Sequence, residues 1–145
     1  MHPQSEIPRS EKWRHIIAQA WAGMLCLLLL MMLTDLTEAG MQGDFSGLAK
    51  DPGTGGLWFI VIVAAVNVLF QVCVRAFASA AFRWAAFSAS SLYTLIFLGH
   101  QATHMLMGEG FDMHAILDLT HHALGIWASI AAYRWATAKE AIPVS

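Results

Sequence analysis

The chain has 145 residues, 57% of them hydrophobic and only 12% charged, with a formal net charge of −2 and a mean hydropathy of +0.55. Soluble domains carry about 25% charged residues, so this composition excludes a surface that faces water throughout, intrinsic disorder and a small disulfide scaffold. The sequence pI of about 6.3 leaves no basic face for phosphates, which excludes a nucleic-acid partner.

Roughly 20 apolar residues in a helix cross about 30 Å of hydrocarbon. Four stretches qualify, with spans about 14–34, 57–76, 82–106 and 112–136. The runs are too long and too little alternating for barrel strands. The expected fold is therefore an all-α integral membrane protein, one domain built as a four-transmembrane-helix, up-and-down antiparallel bundle.

The first span is apolar from 16 to 33 apart from Gln19. It exceeds a signal-peptide core and has no A-x-A-like site after it, so it reads as a retained anchor. Residues 35–56 are rich in glycine and polar side chains and read as an irregular outer loop. The second span carries Asn67 and Gln71, four apart and on one face, where hydrogen bonds to other helices are expected. Cys26 and Cys73 sit in apolar stretches and are expected to be buried and inert. On the third span Ala81, Ala85 and Ala89 form a small-residue row suited to close helix packing, as do Gly125 and Ser129 on the fourth. A short turn around Gly108-Glu109-Gly110 makes the last two spans antiparallel neighbours, with Asp112 as the expected cap of the fourth.

Lysine and arginine set the orientation. Arg9, Lys12, Arg14, Arg75, Arg83, Arg134 and Lys139 fall on one side and only Lys50 on the other. The basic side is the cytoplasmic one, which places both termini inside a bacterial-type inner membrane. Trp13, Trp84, Tyr133 and Trp135 are expected at the inner interface and Trp58 at the outer one.

Five of the seven histidines fall between residues 100 and 122. His100 and His104 share a helix face, and Tyr93 continues it inward. On the fourth span His114, Asp118 and His121 share a face with His122 at its edge, followed inward by Gly125, Ser129 and Ala132. Ile116, Leu119, Ile126, Trp127 and Ile130 occupy the opposite face. Ionisable groups at such depth are costly and face a bundle interior.

The leading expectation is an outward-facing transition-metal site for metal handling or sensing, with His100, His104, His114, Asp118, His121 and His122 as candidate ligands. Copper, zinc and iron all accept such donors. Six of the eight methionines (Met31, Met32, Met41, Met105, Met107 and Met113) lie near the outer ends and add weight to copper. Haem b held by His100 and His121 ranks lower, because a tightly paired hairpin leaves little room for the ring. A proton-coupled transport role is a further alternative. So is a non-catalytic accessory subunit whose polar stripe only locks helices together. Metal-assisted catalysis has too few ligands here, so the sequence leans against an enzyme. The expected partners are the lipid bilayer and a homo-oligomer or a larger membrane complex.

Overall fold

The computed structural model describes residues 9–43, 54–106 and 113–138. It is all-helical over these residues, with four helices: α1 (Arg9–Gln42), α2 (Thr54–Ala76), α3 (Ala80–Leu106) and α4 (Met113–Ala136). Three of them begin or end close to the expected spans. The first does not.

α1 continues about two turns past residue 34, through most of a segment expected to be loop. The hydroxyls of Thr34 and Thr37 donate to the carbonyls of Leu30 and Leu33 at 3.0 and 2.7 Å, so these polar side chains stay on the helix instead of unwinding it. The helix stops at Gly43, whose φ of 64° is the left-handed conformation that closes a helix, with its amide donating to Gly40 O at 3.3 Å. Residues 54–56, also expected as loop, form the first turn of α2. The rest of that loop, the Gly108–Gly110 turn and the Asp112 cap lie outside the described residues.

A three-residue link joins α2 to α3. Ser79 opens α3 as its cap, accepting from Phe82 N at 3.3 Å through Oγ and from Arg83 N at 3.0 Å through its carbonyl.

Contacts run antiparallel between α1 and α2, α1 and α4, and α3 and α4. Trp21 on α1 meets Phe70 on α2 at 4.1 Å between ring centroids. Along the α3–α4 seam, Phe82 faces Trp135 at 6.2 Å, Phe87 faces Tyr133 at 5.6 Å and Tyr93 faces His121 at 5.8 Å. Among the described residues, extensive packing is confined to those three helix pairs. The helices therefore follow one another in space as α2, α1, α4 and α3, in up-and-down order.

The core joins two large rings, Trp21 and Trp135, to Ile17, Met24, Val74 and a set of alanines: Ala20, Ala86, Ala128, Ala131 and Ala132. Small residues let the backbones approach, and the two indoles fill the remaining space. Gly125 shows how tight this is, since a Cβ there would lie 2.8 Å from Thr94 Oγ1. The small face of α3 is rotated by one residue from the expected row: Ala86 and Ser90 are buried, whereas Ala81 and Ala85 are exposed and Ala89 is half-buried.

The distribution of polarity is inverted relative to a water-soluble bundle. Large apolar side chains on all four helices point outward, among them Leu33, Leu69, Leu95 and Leu119 at 57–65% exposure. Asn67, Ser90, Thr94, His121 and His122 are buried inside. Two helices contain stretches long and apolar enough to cross a membrane, Ser10–Gln42 and Ala80–Thr103. In α2 the corresponding described stretch is the shorter Val61–Ala76, and in α4 Asp118, His121 and His122 interrupt the run.

At the end expected to be cytoplasmic, two arginines bind the helix ends together. Arg14 donates to the carbonyls of Val74 (3.0 Å) and Arg75, which close α2. Arg83, 5% exposed, donates to Ala78 O at 2.9 Å and Ala138 O at 3.4 Å. Their guanidinium carbons lie 5.9 and 5.8 Å from the ring centroid of Trp135, within cation–π range. Trp135 is thus fully buried, not an interfacial belt residue. Trp84 and Tyr133 are exposed as a belt requires, Trp13 is half-buried, and the side chain of Trp58 lies outside the described residues.

Candidate functional site

The amphipathic reading of α4 holds. Ile116, Leu119, Ile126, Trp127 and Ile130 are exposed, while His121 and His122 are 1% and 6% exposed on the inward face. Farther in, Gly125 abuts Thr94, and Ser129 Oγ stands 3.4 Å from Thr94 Oγ1.

His122 is held by its own helix. Its Nδ1 contacts the main-chain oxygen of Asp118, one turn earlier. A carbonyl only accepts, so Nδ1 carries a proton and donates it, and in the neutral ring Nε2 keeps its lone pair. That lone pair is buried and has no protein partner. Metal-binding histidines are commonly oriented in this manner, one ring nitrogen donating to a main-chain carbonyl and the other free to coordinate.

His121 lies beside it with ring centroids 6.1 Å apart. Tyr93 and Phe97 on α3 pack against the His121 ring at 5.8 and 4.9 Å. Both of its nitrogens are buried without a hydrogen bond, although the main chain of Met24 on α1 is close enough to act on the ring.

Two more polar atoms at this level lack partners, Tyr93 Oη and Asn67 Oδ1. Asn67 on α2 is fully buried, and its Nδ2 donates to Val63 O at 3.0 Å within its own helix. This bond is within the helix, and it leaves the second amide proton for the neighbouring helix. Its carboxamide still acts on the Tyr93 hydroxyl, short of hydrogen-bond geometry. Gln71 is half-buried one turn away.

The expected six-ligand set is only partly brought together. His121 and His122 are in the interior. Asp118 is half-buried and takes part through its main chain, and His100 is exposed on the outer part of α3. The side chains of His104 and His114 lie outside the described residues. Among the described residues no group of three or more His, Cys, Asp or Glu side chains gathers into a metal cage. Cys26 is exposed and Cys73 half-buried, which corrects the expectation that both are buried. Met41 and Met105 are 83% and 70% exposed and contribute nothing to the interior.

Sequence reasoning placed Tyr93 on the face of His100 and His104, but did not join Tyr93 to His121 or bring Asn67 to the histidines. It also missed the bond from Trp21 Nε1 to Ser90 Oγ at 3.2 Å. Ser90 and Thr94 are four apart, like Gly125 and Ser129 facing them, and that matched spacing was the available signal.

No protein-family model, curated protein or solved structure matches the chain.

Proposed function

We propose that the protein is a multi-pass membrane protein, with four spans and both termini on the cytoplasmic side of a bacterial-type inner membrane, that holds a transition-metal ion at the His121–His122 pair. Apolar side chains on the outside of every helix, small and polar ones inside, and the one-sided arginines and lysines support the membrane reading.

One observation carries the metal reading: the Nε2 lone pair of His122, oriented by the Nδ1 bond to Asp118 O, is buried beside a second imidazole with no hydrogen bond. A buried unpaired polar group costs about 1–3 kcal/mol, and an ion bound at Nε2 would remove that cost at His122. Two imidazoles sharing an ion at about 2.1 Å place their centroids about 5.3 Å apart at a tetrahedral angle and at most about 6.5 Å apart when the two bonds are in line. The observed 6.1 Å is within that reach.

Haem fits less well, because Tyr93 and Phe97 cover the His121 ring. A through-going proton path is disfavoured by the apolar core of Ile17, Ala86, Ala131 and Ala132 on the inner side of Ser129. The role that follows is metal handling or sensing.

The test is metal content and the visible spectrum after purification in mild detergent. About one metal per chain is expected without a Soret band, falling to background in His121→Ala and His122→Ala. Metal-free protein that takes up no added metal would sink the proposal.

A further inference from the structure

We propose that Tyr93 Oη and Asn67 Oδ1 complete the coordination shell of the ion at His121–His122, making this a mixed nitrogen–oxygen site for a divalent cation of the zinc or cobalt(II) class rather than for monovalent copper. The inference rests on the reading that the histidine pair binds a metal.

Its first ground is a parallel between Asn67 and His122. Each ties its donor end to the carbonyl four residues earlier in its own helix, Asn67 Nδ2 to Val63 O and His122 Nδ1 to Asp118 O. Each is thereby left with its acceptor atom, Oδ1 or Nε2, buried and unpartnered. For Asn67 the bond also decides the amide orientation, since a carbonyl accepts only from the NH2 end. At Asn67 and His122 the free atoms are thus acceptors, which a Lewis acid satisfies and an apolar neighbour does not.

The second ground is continuity. The Tyr93 ring packs on His121 at 5.8 Å, His121 lies 6.1 Å from His122, and the buried Asn67 side chain approaches Tyr93 from α2. Three helices, α2, α3 and α4, thus each supply part of the donor set. Two imidazole nitrogens with a phenol and a carboxamide oxygen form a set of borderline to hard character. Of the soft thioethers, which favour monovalent copper, Met41 and Met105 are turned outward, while Met24 is buried in the core on α1.

The test titrates the full-length protein in mild detergent, stripped with chelator, with Co2+ and in parallel, anaerobically, with Cu+. The wild type is expected to bind one Co2+ per chain with visible d–d bands. Tyr93→Phe is expected to weaken Co2+ binding at least tenfold and shift those bands, while leaving Cu+ binding unchanged. Asn67→Asp, nearly isosteric and carrying a charge, is expected to tighten Co2+ binding at least tenfold, and thermal melting of the stripped proteins checks that both variants fold. Wild-type Co2+ affinity and spectrum in both variants would overturn the oxygen assignment and leave the histidine pair standing. So would a wild type that takes Cu+ but not Co2+. A wild type that takes neither ion overturns both this inference and the reading beneath it.

Discussion

At the scale of single residues, the interior is governed by which end of each polar side chain is already engaged. Thr94, Ser129 and Asn67 each donate to the carbonyl four residues earlier, at 2.8, 2.9 and 3.0 Å. For these three side chains a donor is thus engaged within the helix, and their acceptor atoms remain to face neighbours. Steric fit is equally local. Gly125→Ala places a methyl 2.8 Å from Thr94 Oγ1 and 3.4 Å from its Cγ2, on a side chain anchored to Ser90 O. It should destabilise the protein by about 1–3 kcal/mol through overpacking. Adding Thr94→Ala should recover most of that loss, because it removes both atoms, and a double-mutant cycle of unfolding in detergent measures the coupling. Gly23→Ala meets only the flexible tip of Leu124, also at 2.8 Å, and should cost less. Equal costs at the two glycines would contradict this account of the α3–α4 contact.

At the scale of elements, helix type and number were readable because long apolar runs need a helical backbone, and α2, α3 and α4 match their expected spans to within three residues at each end. The end of α1 was not readable. Turn-like composition after residue 34 competes with threonines that bond back to their own helix, and sequence alone does not reveal which bond forms. On α4 the buried face was readable from a period of 3.6 residues, hence His121 and His122 inside and Leu119 outside. The matching face of α3 was harder. A pattern gives a face, but the register and rotation of one helix against its neighbour decide that Tyr93 and Ser90 are covered while His100 is exposed. The arginines also did more than their charge count implied. Arg83→Met should cost about 2 kcal/mol, since a buried charged donor to two carbonyls is lost. Arg134→Met, an exposed cation 5.9 Å from the Trp13 ring, should cost less than about 1 kcal/mol. Thermal unfolding in detergent of the two variants side by side checks the ranking.

At the scale of the whole molecule, the length of α1 has a consequence for topology. Its 34 residues extend about 51 Å, against about 30 Å of hydrocarbon. If the inner boundary lies near Trp13 and Arg14, about 20 residues reach the outer boundary near Thr34. The last two turns, with Asp35 and Glu38, then project into water, where exposed carboxylates carry no desolvation cost. The α2–α3 link lies at the opposite end, beside Arg75 and Arg83. These positions support a direct test in a background with Cys26 and Cys73 replaced by alanine. Gln42→Cys, at the exposed end of α1, should react with a membrane-impermeant maleimide in intact cells. Ala78→Cys, exposed in the link, should react only after the inner membrane is opened. Labelling of both in intact cells, or of Ala78→Cys alone, would refute the proposed orientation. Labelling of Ala78→Cys alone would also place the histidine pair nearer the inner surface, so that any ion it holds would enter from the cytoplasm.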